Sequence, residues 1–118
     1  MILDTTLTIT FELTAAKMTN DFEITVDYFD WNREGKPTPP ATQRNVSNGT
    51  SEVVILTAPV QNPVREPKKI TGYNADTADK TAIIKTDNGT TETTEIRITV
   101  PTLKSLIWSP MTDWYVTT

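Results

Sequence analysis

The sequence contains no cysteine and no histidine. Without cysteine the chain cannot rely on the disulfides that many small secreted domains need. Without histidine it has no Ser-His-Asp or Cys-His catalytic arrangement, no imidazole proton shuttle at neutral pH and none of the commonest metal ligand. These two absences predict a protein that is not an enzyme.

Glycine and clustered positive charge are also scarce. The chain has four glycines in 118 residues, and none is spaced as in a phosphate-binding loop, so nothing supports nucleotide binding. The net charge is -4, and the 11 basic residues are scattered apart from the pair Lys68-Lys69. Nucleic-acid-binding proteins instead cluster lysine and arginine. We therefore expect no nucleic-acid partner.

Long apolar runs are missing as well. The longest is Val53-Val54-Ile55-Leu56, which is far too short to span a membrane. Residues 1–6 lack the basic and apolar regions of a signal peptide. We expect a protein that is made in the cytoplasm and has no membrane partner.

Threonine is abundant, at about a fifth of the residues. Its β-branched side chain suits a half-exposed pleated surface. In residues 7–13, Leu, Ile and Phe alternate with Thr and Glu, and residues 22–28 repeat this pattern. Such alternation predicts strands with one buried and one solvated face. Residues 15–18 have the composition for one helical turn, too short to stand alone.

Turn signals recur every eight to twelve residues, and no convincing helix pattern is present. The sequence therefore predicts an all-β fold, namely an antiparallel two-sheet β-sandwich, jelly-roll-like, with eight or nine short strands in a single domain of residues 1–118. A small closed barrel is the alternative. The predicted strands are residues 7–13, 22–28, 41–47, 52–57, 70–74, 81–86, 95–100, 106–108 and 114–116.

Two Asn-Gly pairs predict hairpin turns, because this dipeptide tolerates positive φ. Asn88-Gly89 separates the predicted strands 81–86 and 95–100, with a loop that extends beyond two residues. Asn48-Gly49 predicts a second hairpin between residues 41–47 and 52–57. Residues 58–67 contain three prolines and predict an extended connection that crosses between the sheets.

Two carboxylate pairs are candidates for acid-base chemistry or for Ca²⁺ binding. Asp27 and Asp30 flank Phe29, and Asp76 and Asp79 share a loop. Aspartate also caps turns by accepting backbone hydrogen bonds, and we favour that role for both pairs. A Ca²⁺ loop usually brings a third carboxylate and a glycine, which are missing here. We predict no cofactor and no metal ion.

The strongest sign of a binding surface is aromatic. Phe29 and Trp31 precede a proline-rich loop at residues 33–40, where rings can stack on a sugar or anchor a partner protein. Trp31 suits the core equally well, whereas Trp108 and Trp114 occupy strand positions typical of a core. The candidate interface residues are Phe29, Asp30, Trp31, Arg33, Pro39 and Pro40.

The second half of the chain contains a set of segments that form a recognisable pattern. The segments are Ile55-Leu56-Thr57-Ala58-Pro59, Arg65, Ile70-Thr71-Gly72-Tyr73-Asn74-Ala75-Asp76, Asp87-Asn88-Gly89-Thr90-Thr91, Leu103 and Trp114-Tyr115-Val116. With these segments the chain resembles a group of small virion proteins of tailed bacteriophages. The resemblance covers residues 51–116 and departs from the group at Gly72 and in residues 101–105.

The resemblance implies a non-enzymatic structural protein of the virion, such as a capsid decoration (cement) protein or an accessory protein of the head, neck or tail. Its expected partners are other phage structural proteins and further copies of itself, since symmetry multiplies weak contacts. The alternative is a β-sandwich module that binds carbohydrate or a host receptor through Phe29 and Trp31.

Overall fold

The chain folds into nine antiparallel strands in two packed sheets, in a computed structural model that describes residues 1–47 and 49–118. The predicted all-β, two-sheet sandwich is confirmed. The strands are β1 (Thr8–Leu13), β2 (Phe22–Trp31), β3 (Ala41–Ser47), β4 (Val53–Leu56), β5 (Val64–Asn74), β6 (Lys80–Asp87), β7 (Glu92–Val100), β8 (Ser105–Ser109) and β9 (Asp113–Val116).

One sheet has the strand order β4-β1-β6-β7 and the other has β3-β2-β5-β8-β9. Alternate side chains of both sheets point inward and form one hydrophobic core, as period-two patterning requires. The fully buried large side chains are Leu3, Ile9, Phe11, Phe22, Ile24, Val26, Ile55, Leu56, Ile70, Ile84, Val100 and Leu106. Within the described ranges no helix is long and apolar enough to cross a membrane.

The predicted alternation in residues 7–13 is correct except at Thr10. This residue lies on the outer face, yet only 2% of it is exposed. Its cross-strand neighbours are Lys85 on β6 and Val54 on β4. Thr10 is covered because β1 is an interior strand of its sheet with side chains on both sides.

The predicted hairpin at Asn88-Gly89 is confirmed, and it joins β6 to β7. Asp87 pairs with Glu92, so the loop has the four residues 88–91. The Asn88 side-chain oxygen accepts the backbone N–H groups of Thr90 and Thr91, and Gly89 has a φ of 92°. The asparagine thus closes the turn with its side chain, and only the glycine needs a positive φ.

The predicted hairpin between residues 41–47 and 52–57 is wrong. β3 pairs with β2 along its whole length, whereas β4 pairs with β1 in the other sheet. Residues 32–40, with their three prolines, form the hairpin connection between β2 and β3 instead. β4 therefore pairs with β1, where it buries Ile55 and Leu56. Asn48, half of the predicted turn, lies outside the described residues.

Other predictions differ from the structure in their boundaries. Residues 57–63 do cross between the sheets, but β5 already begins at Val64 and contains Pro67 at a bulge opposite Tyr28. β2 continues through Phe29 to Trp31, beyond the predicted strand end. Residues 15–18 form no helical turn.

Candidate functional site

The candidate site is an apolar groove on the outer face of the five-stranded sheet, which we call the aromatic groove. It encloses about 330 Å³. Its lining residues are Phe29, Trp31, Pro37, Thr38, Pro40 and Lys68. Sequence reasoning identified three of these residues as interface candidates, namely Phe29, Trp31 and Pro40.

Strand alternation and a tight turn build this groove. The even-numbered residues Phe22, Ile24 and Val26 face the core, so the odd-numbered Phe29 and Trp31 face outward. The Asn32 side chain accepts the N–H groups of Glu34 and Lys36 and so closes the turn after β2. Gly35, with a φ of 76°, supplies the left-handed residue that this turn requires.

The proline segment then returns alongside β2. Pro37 forms a bridge with Trp31, and the Thr38 N–H donates to the Asp30 carbonyl oxygen at 2.7 Å. Because proline has a fixed φ and no N–H, the returning segment is stiff and presents ring surface. The wall of the groove is therefore preformed.

The two aromatic rings are held in place by polar neighbours on β5. The Trp31 indole N–H donates to Glu66 Oε2 at 2.9 Å, and the Phe29 and Trp31 rings meet edge to face at 5.3 Å. The Lys68 ammonium lies 5.3 Å from the Phe29 ring centroid, within cation–π range. These contacts fix the rings while leaving them half-buried and open to a ligand.

Asp30, another predicted interface residue, faces the opposite way. Only 7% of it is exposed, and its carboxylate binds the Arg65 guanidinium at 2.8 Å. The hydrogen bond from Arg65 lowers the pKa of Asp30 below its ordinary value despite burial, and the Asn62 amide adds to this. Asp30 therefore supports the floor beneath the groove, whereas Arg33 and Pro39 are exposed on the loop outside it.

The other aspartates of the two predicted carboxylate pairs accept hydrogen bonds from nearby groups. Asp27 accepts the Thr42 hydroxyl across the strand pair. The Asp79 carboxylate accepts the Thr102 N–H. Asp27 and Asp30 lie on opposite faces of β2, so the structure does not bring this carboxylate pair together.

Asp76 is the most heavily bonded carboxylate in the described ranges. It accepts backbone N–H groups at 2.7 to 3.1 Å and lies 3.4 Å from the Lys80 ammonium. The N–H bonds, led by that of Met18, lower the pKa of Asp76 far below its ordinary value. Its N–H donors are Met18, Thr19, Asn20 and Thr77. Asp76 thus ties the β1–β2 connection to the β5–β6 connection.

A further group of carboxylates was not predicted from the sequence. Oxygens of Glu52, Asp87 and Glu92 lie within 4.8 Å of one another on the outer face of the four-stranded sheet. Partial burial, with the Glu92 charge, raises the pKa of Glu52. The Lys85 ammonium lies 2.8 Å from Glu12 and 3.4 Å from Glu92, so a cation of the protein itself already balances this group.

Comparison of the chain with protein families, with curated proteins and with solved structures finds no match.

Proposed function

We propose that the protein is a non-enzymatic virion structural protein of a tailed phage that acts through protein–protein contacts. A capsid decoration protein or another accessory protein of the head, neck or tail fits this role. The observation that supports a contact function is the aromatic groove, which exposes Phe29 and Trp31 on a rigid strand. The assignment to a virion comes from the resemblance of residues 51–116.

The groove has the character of a protein interface. Aromatic side chains held in a preformed pocket dominate binding energy at such interfaces, because they bury large area at low entropic cost. Trp31 has its indole N–H already bonded to Glu66, so binding need not leave that group unsatisfied. The lining includes Lys68, which offers one charge for orienting a partner.

A direct test is co-sedimentation of the purified protein with phage particles or with isolated capsid and tail proteins. We expect Trp31→Ala to weaken binding about 30-fold, as for a central interface aromatic. Val60→Ala is the matched control, because Val60 is 90% exposed and lies outside the groove. Wild-type protein that neither self-associates nor binds these particles would rule out the proposal.

Carbohydrate binding is the second candidate, and a specific observation favours it. Two aromatic rings lie beside Lys68 and the Glu66 carboxylate. The rings can stack on a sugar ring, and the two charged groups can hydrogen-bond to its hydroxyls. A glycan array probed with wild type and with Trp31→Ala decides between the two. Glycan binding that is lost in the variant favours this candidate, whereas a blank array excludes it.

A further inference from the structure

The two sheets differ in strand number. Contacts between β3 and β4 place these two strands at the same side of the sandwich. Counting from that side, β7 is the fourth and last strand of its sheet, whereas the facing sheet continues to a fifth strand, β9. In the described part of the chain, β9 has no strand opposite it.

The missing strand leaves inward-facing side chains incompletely covered. Trp114 and Val116 pair with the core residues Trp108 and Leu106 and share their inner face, yet both remain half-buried. Ile96 and Ile98, on the inner face of β7, are also half-buried. A cleft of about 390 Å³ opens here, which we call the acceptor cleft. It is lined by Met1, Glu95, Ile96, Trp108, Asp113 and Trp114.

The free edge of β7 borders this cleft. β7 has nine residues with one bulge at Glu95 and contains no proline, and among residues 1–47 and 49–118 no strand pairs with its outer edge. The other edge strands β4 and β9 have only four residues each, and β3 lies against β4. An edge of this length offers a row of unpaired N–H and C=O groups to an incoming strand.

We propose that the acceptor cleft binds an extended segment donated by a partner protein, which adds to β7 as a fifth strand. Alternate apolar side chains of the segment cover Trp114, Val116 and Ile98, while its backbone bonds to β7. Glu95 and Asp113 make the cleft acidic, so the segment carries lysine or arginine beside its apolar residues. This inference rests on the proposed function for the source of the segment.

The geometry argues against a second copy of this chain as the donor of its own β7. Antiparallel pairing of two β7 strands would place the second copy's β7 over β9 of the first. The second copy's own β8, which faces its β7, would then occupy the space of that β9. Two-fold parallel pairing would instead turn the outer face of the second β7, with Arg97 and Thr99, toward the apolar cleft. A segment that brings no second layer of its own avoids this clash, and we therefore assign the cleft to a single extended arm.

The test uses the intact protein and a synthetic nine-residue peptide that alternates isoleucine or valine with threonine and has lysine at both ends. We expect saturating peptide to slow amide hydrogen exchange in β7 about tenfold, because the bound strand protects edge N–H groups. The matched control peptide has proline in place of two of its threonines and cannot complete the ladder. It should leave β7 exchange unchanged.

Charge variants test the predicted chemistry of the segment. Glu95→Gln with Asp113→Asn removes both charges, and asparagine tolerates the positive φ of 56° at position 113. We expect about fivefold weaker binding of the lysine-ended peptide and unchanged binding of a glutamine-ended one. The control is Glu23→Gln, since Glu23 is exposed on the outer face of β2 and does not line the cleft; this variant should bind both peptides as wild type does.

Amide exchange in β7 that is unchanged by the alternating peptide, or protection confined to β3, would refute the addition of a strand to β7. That outcome is separate from the co-sedimentation test: peptide binding by a protein that neither self-associates nor binds particles overturns the virion role alone. Particle binding without peptide binding overturns the cleft alone.

Discussion

Arg65 and Asp30 form a two-pronged ion pair between neighbouring strands β5 and β2. Arg65 Nε lies 2.8 Å from Oδ1, and Nη2 lies 3.1 Å from Oδ2. The remaining nitrogen, Nη1, donates to the Thr57 carbonyl oxygen at 2.8 Å. The guanidinium also lies 4.5 Å from the centroid of the Tyr28 ring. One side chain therefore connects the five-stranded sheet to the end of β4 in the other sheet.

Arg65→Met should lower the free energy of unfolding by about 3 kcal/mol, because it leaves the buried Asp30 carboxylate without its counter-charge. Urea denaturation at pH 7 measures this. The double variant Arg65→Met with Asp30→Asn should recover part of the loss. Lys36→Met is the control, since Lys36 and Glu34 form an exposed pair at 3.9 Å, and it should cost less than about 1 kcal/mol. Equal losses in the two methionine variants would contradict the prediction.

Acid should destabilise the protein through Asp76. The pKa of Asp76 is lowered in the folded state, so its contribution to stability is fully present above the unfolded pKa of about 3.9 and is lost as the pH falls toward the folded value. Urea midpoints between pH 7 and pH 2.5 should fall with acid, and Asp76→Asn should be less stable at pH 7 with a flatter acid slope. A variant slope equal to that of wild type would refute this role.

Gly72→Ala should destabilise the fold by about 2 kcal/mol through overpacking. A Cβ at position 72 would lie 2.8 Å from Cε1 of the buried Phe22 ring. Phe22→Leu should therefore reduce the penalty of the alanine in a double-mutant cycle. Gly35→Ala provides the comparison, because open space surrounds Gly35 and only its φ of 76° is unfavourable. A strictly additive cycle would show that Phe22 is not the cause.

Thr10→Val should stabilise the protein by about 1 kcal/mol. The Thr10 hydroxyl is buried without a hydrogen-bond partner, and valine has nearly the same shape without the polar group. The matched variant is Thr8→Val on the same face of β1, where the lost hydroxyl donates to the Asp87 carbonyl oxygen. Thermal unfolding should move in opposite directions for the two variants. Destabilisation by both would mean that the Thr10 hydroxyl has a partner.

Local signals predicted the parts of the fold that depend on neighbouring residues. Alternation located β1 and β2, and Asn88-Gly89 located the β6–β7 hairpin. The same dipeptide signal failed at Asn48-Gly49, because the choice of partner for β4 depends on how β1 and β2 pack, and a turn signal carries no information about that competition. Strand order in the two sheets is likewise a property of long-range pairing.

The aromatic groove was predictable only in part. Alternation in β2 and the nearby prolines indicated that Phe29 and Trp31 are exposed. The position of Lys68 in the groove was not predictable, because it depends on the bulge in β5. The ion pair between Asp30 and Arg65 was not predictable either, because it joins residues 35 positions apart. The acceptor cleft was not predictable, because it results from the unequal strand numbers of the two sheets.

The hydrogen bonds around Asp76 also make the two ends of the molecule different. At one end, the connections 14–21, 75–79 and 101–104 are joined by side chains, with the Asn74 amide donating to the Val100 carbonyl oxygen at 2.8 Å. The opposite end carries the proline-rich turn, the aromatic groove and the rim of the acceptor cleft. A molecule whose two ends differ in this way is polar. If several copies bound one surface through the end that carries the groove and the cleft, every copy would present the same hydrogen-bonded end to solvent.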